Sequence, residues 1–141
     1  MAYEEVPDIL AIEGIFSEFA WCADRGDGAS MGQLFWPDGK LTVGGVQFSG
    51  RDEIARDCER RHSEPGRKTR HVWGNIRIQN IGADTVTTSA VQITFEHRPD
   101  DGGVEVRVND IFDDLRRSND GKWLIETRVI QREIAFRGTK N

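Results

Sequence analysis

Three histidines, His62, His71 and His97, are the side chains of this 141-residue chain best suited to move a proton near neutral pH, because an unperturbed imidazole titrates close to that range. His62 follows two arginines on an expected helix face and His97 closes an expected strand before Pro99, so both read as solvent-exposed. His71 stands early in an expected strand. A carboxylate beside such a ring would fix its tautomer and stabilise its cation. From residue types alone, however, Asp24 reads as a cap of the turn Asp24-Arg25-Gly26-Asp27-Gly28 and His71 as an ordinary strand histidine. The two cysteines, Cys22 and Cys58, fall in helical segments and read as reduced, partly buried thiols rather than a disulfide or metal pair. No CxxC, HExxH, Walker or GxGxxG pattern is present, so any chemistry is expected to run without a metal or other cofactor.

The elements that must position these groups follow from periodicity. From Pro7 to Ala23 the apolar residues recur at three- and four-residue steps, which predicts an amphipathic helix. A short second helix is expected from a Ser30 cap through Phe35, ended by Pro37-Asp38-Gly39. Lys40–Val43 and Val46–Phe48 flank Gly44-Gly45 as a small hairpin, and a third helix with Ile54, Ala55 and Cys58 inward runs from near Arg51 toward Pro65-Gly66. Four strands are then expected over Thr69–Gln79, Thr85–His97, Val104–Arg117 and Lys122–Phe136, in an antiparallel meander. Helices first and sheet afterwards is the order of a single α+β domain over 1–141.

Composition bounds the function. The chain is 37% hydrophobic and 30% charged, has mean hydropathy −0.57, and includes four Trp and seven Phe, as expected of one compact domain with a core of its own. A net charge of −5 with acidic and basic residues intermixed argues against a nucleic-acid partner. The densest basic stretch, Arg60 to Arg70, is interrupted by Glu64 and Pro65-Gly66 and reads as a solvated helix end. With no apolar run of bilayer length and no signal-like segment, no membrane partner is expected and a cytoplasmic location is.

Several short motifs in order carry a resemblance: Ala23-Asp24-Arg25-Gly26-Asp27, Leu34-Phe35-Trp36-Pro37-Asp38-Gly39, Ser49-Gly50-Arg51, Thr69-Arg70-His71 with Asn75, and Asp120-Gly121-Lys122-Trp123 followed by Arg128. Together they resemble the SnoaL-like branch of the nuclear transport factor 2-like superfamily, which includes scytalone dehydratase and hexachlorocyclohexane dehydrochlorinase. That resemblance implies a cone: three N-terminal helices packed on a strongly curved, mainly antiparallel sheet. It also implies a homodimer, with a trimer as alternative, formed sheet to sheet. Members of the superfamily include enzymes and proteins without chemistry.

Transferred position by position, the resemblance places a catalytic Asp at Asp24, a catalytic His at His71 and a third functional residue at Arg128. It puts Phe19 where the dehydrochlorinase carries a lysine, and leaves Tyr3 as the only tyrosine to serve where the dehydratase uses several. If His71 faces a cavity, strand alternation puts Thr69, Trp73 and Asn75 on its side, Trp73 as an aromatic wall or as ordinary core. Arg128 and Arg132 would share a face with Leu124, Glu126 and Ile130, and a buried guanidinium there needs Asp113, Glu126, Asp24 or an anionic substrate as partner. The family register turns Gln92, Thr94 and Glu96 inward on one strand and Arg107, Asn109, Ile111 and Asp113 on the next. By pattern alone the other phase, Val106, Val108, Asp110 and Phe112, looks more like a core face. The polar phase would suit an oxygen-bearing small molecule. The implied reading is a cofactor-independent lyase of the dehydratase type, with isomerisation, cyclisation or binding without turnover as alternatives.

Overall fold

The computed structural model describes residues 6–97, 99–100 and 102–138. Tyr3 lies outside them. In chain order the elements are α1 (Val6–Arg25), α2 (Gly28–Gly32), β1 (Phe35–Val43), β2 (Val46–Ser49), α3 (Arg51–His62), β3 (Lys68–Gln79), β4 (Thr85–His97), β5 (Val104–Arg117) and β6 (Trp123–Gly138). One six-stranded sheet runs in the order β2-β1-β6-β5-β4-β3. All neighbours are antiparallel except β1 and β6. This is the expected α+β cone, a curved and unclosed sheet wrapped on one side around its helices.

The apolar face of α1 explains how the cone closes. Ile12, Ile15, Phe16 and Phe19 are buried against Ala90, Ile111 and Ile130 of the sheet and Ile54 of α3. Each such side chain contributes about 2 kcal/mol of burial free energy. The helix stops at Gly26, whose φ of 69° is the left-handed geometry that ends a helix, and the Asp27 amide reaches back to the Cys22 carbonyl at 3.1 Å. A side chain at Gly26 would also collide with the His62 ring. This sharp stop leaves Asp24 in the last turn of α1, facing β3.

The second helix differs from expectation. Asp27, not Ser30, caps it, accepting a 3.1 Å bond from the Ser30 amide, and it ends at Gly32 rather than running through Phe35. Phe35 instead opens β1 with Pro37-Asp38-Gly39 inside the strand. Proline is tolerated because the pairing of β1 with β6 is irregular there, slipping between Phe35↔Ile125 and Lys40↔Thr127.

Two further irregularities decide which side chains face inward. In β3 an extra residue sits between Gly74 and Arg77, where Asn75 takes a φ of 51°. The inward set therefore changes from Thr69, His71 and Trp73 to Ile76 and Ile78, and Asn75 is exposed instead of sharing the His71 face. In β6 the pairs Asp114↔Thr127 and Leu115↔Ile125 leave Glu126 as the extra residue. Trp123 and Ile125 thus join Arg128 and Ile130 inside, while Leu124 and Glu126 do not.

Candidate functional site

Asp24 lies 8% exposed at the end of α1 and ties that helix to β3 through three bonds. Its Oδ1 accepts from the Thr69 hydroxyl at 3.0 Å, its Oδ2 from the His71 amide at 3.0 Å, and Oδ1 also meets the His71 ring Nδ1 at 2.5 Å. A turn-capping role belongs to Asp27, not to Asp24. Burial by itself would raise the Asp24 carboxyl. The His71 ring and backbone bonds, the charge of a protonated ring and the Thr69 hydroxyl outweigh it and hold the carboxyl below its ordinary value. An ionised carboxylate only accepts, so Nδ1 carries a proton, and in the neutral ring Nε2 keeps its lone pair. The sequence spacing of 47 residues held no local sign of this contact, which exists because α1 packs across the open end of β3.

His71 opens onto a concave cavity of about 370 Å³, the size of a site for a small molecule. Phe19, Ala23 and Met31 from the helices and Leu41, Val43 and Gly44 from the first hairpin form an apolar roof. The floor is the concave side of the sheet, read off the register as rows. His71, Thr94 and Arg107 stand in one row, and Gln92, Asn109 and Arg132 in the next. On β4 and β5 the polar phase faces inward: Gln92, Thr94, Glu96, Asn109 and Asp113 are all buried, while Phe112 is exposed.

Other sequence-derived site residues take different places. Gln92, Asn109 and Arg132 line the cavity. Thr69 serves Asp24 rather than the cavity. Trp73 packs its ring 5.3 Å from Phe16 and donates to the Ser17 hydroxyl at 3.2 Å, so it belongs to the wall between α1 and β3. Ile111 is core, with no exposed surface.

Of the two roles expected for Arg128, a buried ion pair or a place against a substrate, the structure shows the ion pair. Its guanidinium makes bidentate bonds of 2.8 and 2.6 Å to Asp113, between the Phe16 and Phe19 rings, and both charged side chains are wholly inaccessible. Burial pushes the Asp113 carboxyl up, opposed by the Arg128 charge and its two bonds. Of the possible partners, Asp113 is the one that Arg128 meets; Glu126 faces Arg116 at the surface.

The basic stretch read as a solvated helix end also supplies the cavity. Arg61 and Arg67 line it, and Arg67 reaches Glu96 at 2.9 Å. Glu96 on the inward phase of β4 was the available signal, since a buried carboxylate needs cations. Cys58 lines the cavity as well, but burial pushes its thiol up to about 12, which excludes a thiolate nucleophile at neutral pH. Among the described residues no group of three His, Cys, Asp or Glu side chains could hold a metal ion, and no helix is long and apolar enough to cross a membrane.

A curved sheet closed by helices over a polar cavity, with a His–Asp pair at its wall, defines the class of small α+β cones built around one ligand cavity. The SnoaL-like domain pattern matches residues 4–129, and the chain belongs to that family. Solved structures share the fold. A candidate scytalone dehydratase from Novosphingobium aromaticivorans superposes with a TM-score of 0.83 at 17% identity, covering 100% of this chain and 94% of that one. A hexachlorocyclohexane dehydrochlorinase, LinA type 2, gives 0.85 at 16% identity over 97% and 93%. A Catenulispora acidiphila protein in complex with S-DNPA gives 0.76 at 22% identity over 90% and 94%. Among curated proteins no match to the sequence is found.

Proposed function

We propose that this protein is a cofactor-independent lyase of the dehydratase type, acting on a small, oxygenated, cyclic metabolite. The observation that carries this reading is the 2.5 Å contact of Asp24 with His71 Nδ1, which leaves Nε2 as the base at a cavity wall. His71 Nε2 takes a proton from carbon next to an electron-withdrawing group. Asp24 holds the tautomer and stabilises the imidazolium. Asn109, buried on the cavity floor, offers its amide to the developing oxyanion in place of Arg128, which is committed to Asp113. Expulsion of a β-hydroxyl, which leaves as water with the proton returned by the His71 imidazolium, completes a dehydration. Return of the proton to another carbon would instead give an isomerase, and attack of the carbanion on a second carbonyl a cyclase.

Binding without turnover is the second reading, favoured by the apolar Phe19 on the cavity wall where the resemblance expects a lysine. Solvent-deuterium uptake into small cyclic hydroxyketones, followed by product mass, separates the readings. Exchange that disappears in His71→Ala supports proton abstraction, and exchange undiminished in that variant refutes His71 as the base.

The partner we propose is a second copy of this chain, joined through the convex side of the sheet. By register Val72, Phe95, Phe112, Val129, Ile134 and Phe136 are exposed on that side, apolar side chains of the kind that mark association.

A further inference from the structure

The floor of the cavity bears on which substrate the proposed lyase would take. Gln92 is 3% exposed and Asn109 7%, both line the cavity, and neither side chain is hydrogen-bonded to another described residue. The sheet register sets them side by side and puts Arg132 next in the same row, as Gln92↔Asn109↔Arg132. Their amides open onto the cavity, where a ligand can take the hydrogen bonds that water otherwise makes.

The acids of the cavity are already engaged. Glu96 holds Arg67 at 2.9 Å and Arg107 at 3.3 Å, Glu105 holds Arg107 at 2.7 Å, and Asp57 holds Arg61 at 2.9 Å. Among the described residues, Arg132 is the lining arginine with no carboxylate in ion-pair reach. Four lining guanidiniums thus stand against three lining carboxylates among the described residues. A neutral oxygen would satisfy the amides but leave this charge uncompensated, whereas a carboxylate answers both through charge-assisted bonds.

We infer that the substrate carries a carboxylate, seated by Arg132 with Gln92 in the same row, while Asn109 between them keeps its amide for the oxyanion. His71 pairs with Thr94, two residues along β4 from Gln92, so the donor row lies about 7 Å along the sheet from the His71 row. Arg132 on β6 also stands three strands across from His71 on β3, about 14 Å at the usual strand spacing. The long Arg132 side chain reaching in from β6 covers part of that span and a ring with its carboxylate the rest, with the acidic carbon toward His71. This substrate class rests on the lyase reading for its chemistry but not for its binding.

The probes are benzoate and its neutral isostere benzamide, titrated by calorimetry and by the side-chain NMR signals of His71. The expected result is benzoate bound at least tenfold tighter than benzamide, with the His71 ring signals moving. Arg132→Gln should reduce the ratio below threefold without weakening benzamide, and Arg132→Lys should keep part of it. Arg77→Gln, on the exposed side of β3, should leave it whole. Equal affinities, a preference that survives Arg132→Gln, or no shift of His71 at saturating benzoate would each overturn the assignment. A benzoate preference that persists in His71→Ala, alongside unaltered deuterium exchange in that variant, would sink the lyase reading while leaving the carboxylate site standing.

Discussion

Replacing Asp24 by Asn keeps the shape of the side chain and removes two properties, the negative charge and the ability to accept hydrogen bonds at both oxygens. In the native protein those oxygens accept from the Thr69 hydroxyl, the His71 amide and the His71 ring. Asn offers one oxygen and one NH₂ group, so at least one native donor must face another donor. If the NH₂ group turns to the ring, the imidazole must carry its proton on Nε2 and lose the lone pair aimed at the cavity. If it turns to the His71 amide, the ring keeps its tautomer but its cation loses the facing charge. General-base contributions are typically about 10²- to 10⁴-fold, so turnover should fall by most of that range. Stability should fall by about 1–3 kcal/mol, the cost of one buried donor left unsatisfied. Deuterium uptake and product formation measure the first quantity, urea unfolding the second, and long-range ¹⁵N correlation of the His71 ring reports the tautomer without any substrate. Full turnover with an unchanged Nδ1–H tautomer would refute the dyad.

Three other outcomes are expected. Because the folded-state Asp24 carboxyl is held below the ordinary aspartate value, its contribution to stability is complete above that value and lost as pH falls through the folded-state one; the stability difference between native protein and Asp24→Asn should therefore shrink below about pH 4 in urea titrations. Asp113→Asn, which leaves Arg128 buried without its counter-charge, should cost about 3–5 kcal/mol by chemical denaturation, and a joint Asp113→Leu, Arg128→Met replacement should recover part of the loss. Phe136→Asp should shift light-scattering mass from dimer to the 15.9 kDa monomer while leaving the circular dichroism spectrum unchanged; a native protein already at 15.9 kDa would remove the proposed convex interface.

Local order was legible because local physics sets it. The apolar spacing on α1 and the runs of β4 and β5 between turn residues mark those elements, and the Thr85–His97 and Val104–Arg117 limits match the structure at both ends. The start of β1 was not legible. Leu34-Phe35 continues a helical spacing, and only pairing with β6 pulls Phe35 into a strand. The basic run around Arg61 and Arg67 reads as solvated until Glu96, 29 residues beyond Arg67, comes within reach across the fold.

The facing of side chains shows the division most clearly. Alternation sorts a strand into two sets of residues but does not say which set is covered, and on β5 the more apolar set looked like the core. The structure buries Asn109, Ile111 and Asp113 and exposes Phe112, because helices and cavity occupy the concave side. Single-residue insertions at Asn75 and Glu126 then reverse the parity within β3 and β6, expelling Asn75 and bringing Arg128 in beside Ile125. By itself the sequence determined the residue types and the order of elements. Only the packing of α1 across β3 decided that Asp24 and His71 meet, since a contact over 47 residues depends on helix placement and on strand register, neither of which is a local property of the chain.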